Sequence, residues 1–119
     1  MSIYFTDEET GCRCGKCRRS QGMKSEVLRR ADILRRMCGF PLNMSSGYRC
    51  PLHPKASIPH SGFAFDIKIS HRKAYILVQN AMLMGFSGIG IHQKGNDRFI
   101  HLDDCMPQDG MPRPHIWSK

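Results

Sequence analysis

The stretch PHSGFAFDIKIS, residues 59–70, decides the fold. Within it, residues 63–69 alternate between large apolar side chains and small or polar ones, which is the pattern of a β-strand with one face on a core. Phenylalanine and isoleucine occupy the odd positions, so Asp66 lies on the face turned away from the apolar side. Aspartate is disfavoured inside strands, and its presence here therefore indicates a functional reason.

Two helices are predicted on either side of this strand. Over residues 24–38 and again over residues 71–84, apolar side chains recur at helical spacing. Ser25 and Ser70 are placed to cap the two helices, and a glycine follows each of them. Both segments therefore predict amphipathic helices with one buried stripe.

The remaining segments predict further strands and irregular ends. Strands are expected over residues 42–50, 88–92 and 98–103, the last two flanking the turn QKGND. The segment TDEETG near the start and the proline-rich tail before Trp117 are expected to be irregular. The sum is a single α+β domain over residues 1–119, with a small antiparallel sheet and two main helices.

Charge and composition narrow the class of protein without naming a partner. The chain carries a net charge of +8, much of it in the first third, and such a surface attracts polyanions such as nucleic acid or an anionic cell wall. The segment MSIYFTDEETG lacks the basic start and apolar run of a secretory leader, and no apolar run approaches the ~20 residues of a membrane span. We therefore expect synthesis in a reducing cytoplasm and no membrane partner.

A cysteine cluster offers a second metal site. Cys12, Cys14 and Cys17 lie close together in a polar segment, and in a reducing compartment they could bind a structural zinc. Cys38, Cys50 or a histidine would then be the fourth ligand. The alternative is that these cysteines are buried thiols or disulfide partners, because their spacing is not that of a standard zinc finger.

Two polar constellations carry the candidate chemistry. His60 and Asp66 belong to the first strand region, and His101 and Asp103 share one face of the strand predicted about 40 residues later. If the two strands are neighbours, the four groups converge. Two imidazoles and a carboxylate from separate segments suit a catalytic zinc with a fourth position for water, and Asp103 is then available to take the proton of that water. The alternative is an exposed sheet face on which polar residues cost nothing.

Three motifs resemble a known family over residues 3–117. The segments are SGYRCPLH (46–53), PHSGFAFDI (59–67) and GIGIHQKGNDRFIHLD (88–103), followed by a late Trp117. They are similar to the zinc D-Ala-D-Ala carboxypeptidases, the M15 type of peptidase, which include bacterial cell-wall peptidases and phage endolysins and share their fold with the hedgehog signalling domain. The resemblance implies that His60, Asp66 and His101 bind Zn²⁺ and that Arg49 binds substrate.

The chain departs from the family pattern in two places. Ser57 precedes His60 by three residues where the family has two, and Asp66 follows His60 one residue early, so His53 or a shifted register could supply the ligand instead. Many members also carry a Glu or Asp three residues before the last histidine ligand, where this chain has an arginine.

The general base is therefore open at this point. Asp103 is the predicted base, because it follows His101 by two residues on the same strand face. Asp97 and His92 are the alternatives. If none of the three is placed correctly, the domain would bind metal without catalysis.

The expected function is that of a monomeric zinc peptidase acting on peptidoglycan stem peptides, as a D-Ala-D-Ala carboxypeptidase or an endolysin-type endopeptidase. The absence of a leader fits a phage lysin that is released by another protein, or a cytoplasmic enzyme acting on a soluble dipeptide. One alternative is an inactive, metal-stabilised cell-wall-binding module. Another is a nucleic-acid-binding protein with a cysteine zinc site and a basic helix, although its aromatic residues are not interleaved with the basic ones. A different divalent metal would also suit these ligands.

Overall fold

The computed structural model of the chain describes residues 2–12, 23–47, 64–107, 110 and 112–118. Within these residues the elements are α1 (Asp7–Thr10), α2 (Ser25–Cys38), β1 (Asn43–Ser46), β2 (Ala64–Lys68), α3 (His71–Met84), β3 (Gly88–His92), β4 (Phe99–Asp103) and β5 (His115–Ser118). The predicted α+β class is confirmed.

The strands form one sheet in the order β1-β2-β4-β3-β5. The first four strands in this order pair antiparallel, as predicted, and β5 adds a parallel pair at the β3 edge, so the sheet is mixed. Strand β2 lies next to β4, with Asp66 directly opposite His101. The condition for convergence, that these two strands are neighbours, is therefore met, and the pairing brings Asp66 close to His101 and Asp103.

The apolar core lies between the helices and one face of the sheet. Helix α2 contributes Val27, Ala31 and Leu34, and α3 contributes its predicted stripe, whose Leu77 and Ala81 are fully buried. The strand residues in the same cluster are Met44, Phe65, Ile67, Ile89, Ile100 and Leu102. Because side chains alternate along a strand, the residues between these project from the opposite face of the sheet. That opposite face carries the candidate site.

Both chain ends are more regular than the sequence predicts. TDEETG begins a short helix because Thr6 and Glu9 form a reciprocal capping box, in which each side chain accepts the backbone N–H of the other residue. The tail forms β5, since His115–Ser118 pairs with the free edge of β3. This pairing is long-range, and neighbouring prolines hide the short alternation in the sequence. The prediction that both segments are irregular was wrong.

The helix ends agree with the sequence except for the two predicted serine caps. Ser70 lies at the N-cap position of α3 as predicted, but its side chain makes no capping hydrogen bond. Helix α2 begins at Ser25, so Lys24 is the N-cap residue and the predicted cap by Ser25 was wrong. Gly39 and Gly85 end their helices in the left-handed conformation, which glycine adopts at no steric cost. Among the described residues, none of the helices has the length and apolar character that crossing a membrane requires.

Candidate metal centre

The face of the sheet opposite the helices carries two cross-strand rows of residues. One row runs from Asp66 on β2 through His101 on β4 and Gly90 on β3 to Trp117 on β5. The next row consists of Ala64, Asp103, Gly88 and His115. Side chains directly opposite each other on adjacent strands are in contact distance, so these rows bring polar and aromatic residues of β2, β4 and β5 to one place, with two glycines of β3 among them.

His101 contacts a carboxylate through each of its ring nitrogens. Nδ1 lies 3.0 Å from Oδ1 of Asp66, and Nε2 lies 2.8 Å from Oδ2 of Asp103. Burial alone would lower the pKa of His101, but the hydrogen bonds to Asp103 and Asp66 outweigh it and raise the pKa above its ordinary value. Each ring nitrogen therefore has a carboxylate oxygen as its hydrogen-bond partner.

Asp103 is wholly buried, and each of its carboxylate oxygens accepts two hydrogen bonds. Oδ1 accepts from the backbone N–H of Cys105 at 3.2 Å and from Nε of Arg113 at 2.9 Å. Oδ2 accepts from Nη2 of Arg113 at 2.7 Å and from His101. Burial alone would raise the pKa of Asp103, but the hydrogen bonds from His101 and Arg113 hold the pKa well below its ordinary value.

Two glycines on β3 leave the space that these side chains occupy. A Cβ atom at Gly88 would overlap the carboxylate of Asp103, and one at Gly90 would lie 2.7 Å from the indole ring of Trp117. The indole in turn lies against His101, with ring centroids 5.3 Å apart, and under the guanidinium of Arg113 at 5.0 Å. Side chains at these two strand positions would exclude the groups that surround His101.

Asp66 and His101 suit a zinc ion by donor type and by spacing. Two ligand atoms of a tetrahedral zinc at its usual bond lengths lie about 3.3 Å apart, close to the 3.0 Å between Nδ1 of His101 and Oδ1 of Asp66. Nε2 of His101 faces a carboxylate, and a ligating histidine usually donates its other N–H to such a group. In the described part of the chain, no cluster of three or more His, Cys, Asp or Glu side chains forms a complete metal site.

Of the sequence-predicted site residues, Asp66, His101 and Asp103 are brought together. His60, the alternative ligand His53, and Arg49 lie outside the described residues, so their roles stay predictions. The same holds for a zinc bound by the cysteine cluster, because two of its three cysteines also lie outside. The described cysteines are thiols, buried at positions 12 and 105 and half-buried at position 38.

The two alternative bases, His92 and Asp97, occupy different places relative to His101. His92 projects from the site face, because it has the same strand parity as Gly90, and it packs against Phe99 with ring centroids 4.8 Å apart. It is half-buried and is a diagonal cross-strand neighbour of His101. Asp97 is exposed in the turn between β3 and β4, beyond the end of the strand that carries His101.

Sequence reasoning missed Arg113 and the two glycines. A glycine inside a strand marks a close approach of another group, so the GIG sequence at the start of β3 was a usable signal. Arg113 had no such signal, because its pairing with Asp103 depends on the path of the tail and on the formation of β5.

A buried histidine lies between two carboxylates on the sheet face opposite the helices. This arrangement is typical of proteins with a metal-dependent site. A family model described as peptidase M15 matches residues 3–103, which is most of the chain. The chain therefore belongs to the peptidase M15 family. No curated protein and no solved structure matches it significantly.

Proposed function

We propose that this peptidase is zinc-dependent and cleaves the peptide stems of bacterial peptidoglycan, with His60, Asp66 and His101 as the zinc ligands. The observation that carries the proposal is the contact between Asp66 and His101, 3.0 Å apart on adjacent strands. Membership of the peptidase M15 family supports the reaction class, and zinc is the usual metal of that family.

When bound, zinc supplies Lewis-acid chemistry, which activates water as a nucleophile and polarises the scissile carbonyl. Residues of the chain would bind the metal and orient the substrate. His101 gives up the proton on Nδ1 and keeps the proton on Nε2, because Oδ2 of Asp103 accepts a hydrogen bond there. Asp66 presents a carboxylate oxygen beside that nitrogen, and Arg49 holds a substrate carboxylate or the oxyanion that develops during cleavage.

The proton acceptor is either Asp103, as the sequence predicts, or His92. A general base needs a lone pair facing the water and a pKa near the working pH. Both oxygens of Asp103 already accept two hydrogen bonds each, and its pKa is held low. These contacts favour His92, which is half-buried on the same face, and they support a different role for Asp103.

The substrate class rests on the family and on charge. Basic residues on the exposed side of α2, such as Arg29 and Arg36, contribute to a net charge of +8. A surface of this sign concentrates an anionic polymer such as the cell wall near the protein. The bond that is cleaved is either the terminal D-Ala-D-Ala bond or an internal bond of the stem peptide, and the products distinguish the two.

The test is to incubate the zinc-loaded protein with purified peptidoglycan and with a soluble peptide that ends in D-Ala-D-Ala, and to identify the products by mass spectrometry. We expect cleavage by the wild type, none by His101→Ala, and wild-type cleavage by His71→Asn, since His71 is exposed and asparagine tolerates its positive φ of 57°. Binding to peptidoglycan without any cleavage would instead identify a wall-binding module.

The same assay assigns the proton acceptor. If His92 has this role, His92→Gln loses about 10²–10⁴-fold in kcat while it keeps its zinc. Asp97→Asn is the control in the exposed turn. If His92→Gln keeps wild-type turnover, His92 is not the base, and a zinc-loaded but inactive Asp103→Asn would return the role to Asp103.

A further inference from the structure

Arg113 and Asp103 form an ion pair that is sealed from solvent. The side chain of Arg113 is 3% exposed and that of Asp103 is 0% exposed. The pair is bidentate, with Nε and Nη2 of Arg113 donating to the two oxygens of Asp103 at 2.9 and 2.7 Å. The third nitrogen, Nη1, donates to the backbone carbonyl of Pro112 at 2.6 Å, so the guanidinium is fixed on every side.

The fixed carboxylate fixes His101 in turn. Oδ2 of Asp103 lies 2.8 Å from Nε2 of His101, and the backbone N–H of Cys105 holds Oδ1. The imidazole plane is also limited by the indole of Trp117, which Arg113 covers on another side. Asp103 and Trp117 therefore fix the orientation of the ring, and Nδ1 then lies beside Asp66.

We propose that Arg113 and Asp103 are positioning residues of the zinc site, an inference that rests on the proposed function. Arg113 locks the carboxylate of Asp103, and that carboxylate holds Nε2–H of His101 so that Nδ1 faces Asp66 and the metal. Arg113 belongs to the segment leading into β5 and lies beyond residues 3–103, the part of the chain that the family model matches.

Stability alone is a weak reason for such a pair. A buried ion pair costs desolvation, and apolar residues of similar volume often replace one with no loss of stability. The neighbouring pair of Arg30 and Asp104 ties α2 to the end of β4 with Nε 2.8 Å from Oδ2, and it remains partly exposed at 26% and 22%. That pair links a helix to the sheet and therefore serves as the comparison for Arg113 and Asp103.

The experiment compares Arg113→Lys with Arg30→Lys. Each change keeps the charge and removes the planar fork, so the two variants are matched in chemistry. Zinc affinity is measured by competition with a chromophoric chelator, and the folded fraction is checked by circular dichroism. We expect Arg113→Lys to bind zinc about 10–100-fold more weakly than wild type. Arg30→Lys should stay within about twofold of it.

Two further experiments, a double variant and a cobalt spectrum, distinguish a positioning role from a general structural defect. If Arg113 acts only through Asp103, adding Arg113→Lys to Asp103→Asn weakens zinc binding no further than Asp103→Asn alone. The visible absorption of the cobalt-substituted protein should change in Arg113→Lys and stay unchanged in Arg30→Lys, because only the first alters the setting of a ligand.

Three results would overturn the inference. If Arg113→Lys binds zinc as tightly as wild type, the zinc site stands and Arg113 does not position it. If Arg113→Lys and Arg30→Lys lose the same affinity, the effect is one of general stability. If the wild type binds no zinc, the metal centre fails and the positioning role fails with it.

Discussion

Asp103 and Asp104 are consecutive residues, and each is held by the Nε and Nη2 of an arginine, yet the two pairs differ in their exposure to water and in their surroundings. Asp104 faces the helices and meets Arg30 in a pair that water still reaches. Asp103 faces the other side of the sheet and meets Arg113 in a pair that water does not reach, with His101 beside it. Asp103 is the last residue of β4 and Asp104 is the first residue after it, so the end of the strand separates the two environments.

The two arginines also differ in what they hold: Arg30 attaches helices to the sheet, whereas we propose that Arg113 positions Asp103. Arg30 also donates to the backbone carbonyl of Met84 at 3.0 Å and covers the ring of Phe86, so it holds helix ends against the sheet. Within the described part of the chain, Arg113 contacts Pro112 in its own segment, Asp103 and the ring of Trp117, which lies against His101. The same ion-pair chemistry therefore serves packing on one face and the candidate site on the other.

Replacing each arginine by methionine should give the largest difference in stability between the two pairs. Arg113→Met leaves the charge of Asp103 buried with only His101 to compensate it, and we expect a loss of about 3 kcal/mol in the free energy of unfolding of the metal-free protein. Arg30→Met leaves Asp104 partly in water, and we expect about 1–2 kcal/mol. Urea unfolding with a chelator present measures both, and equal losses would contradict the contrast between the pairs.

A smaller effect is expected from the glycines beneath the site. Gly88→Ala brings a methyl group against the clamped carboxylate of Asp103, which we expect to cost about 1–3 kcal/mol and to weaken zinc binding. Gly90→Ala meets only the indole of Trp117, a side chain that can shift, and should cost less. Thermal unfolding of the two variants measures the difference; a Gly88→Ala variant as stable as wild type would mean that Asp103 is not tightly held.

The smallest effect concerns pH. Because the pKa of His101 is raised in the folded, metal-free protein, its contribution to stability is present below about 6.5 and is lost as the pH rises through the folded value. Asp103→Asn removes the strongest of the contacts that raise the pKa of His101. The pH at which the stabilisation by His101 is lost should therefore be lower in this variant. Asp104→Asn should leave it unchanged. Unfolding midpoints from mildly acidic to mildly alkaline pH test this, and coincident profiles would contradict it.

Local pattern was enough to predict most of the fold. The alternation of residues 63–69 predicted β2 and the outward side of Asp66, and helical spacing with terminal glycines predicted α2 and α3. β5 could not be predicted, because its stability depends on the edge of β3 rather than on its own sequence. Helix α1 could have been, since Thr6 and Glu9 have the spacing of a capping box.

The candidate site was only partly predictable, for a related reason. Strand parity and the pairing of β2 with β4 bring Asp66 and His101 together, and both follow from the sequence pattern. The contacts of Asp103 with Arg113 do not, because they join β4 to a tail whose path depends on β5. The sequence therefore pointed to three residues that the structure brings together, but it said nothing of the arginine that occupies the oxygens of the predicted base.

The central claim is that His101 is a metal ligand, and the most direct test is the zinc content per chain of the wild type and of His101→Ala, purified side by side and measured by elemental analysis. If His101 is a ligand, the wild type holds one equivalent of zinc more than the variant, and any zinc left in the variant belongs to the cysteines. Equal zinc content in the two proteins would contradict the claim, because His101 would then not be a ligand.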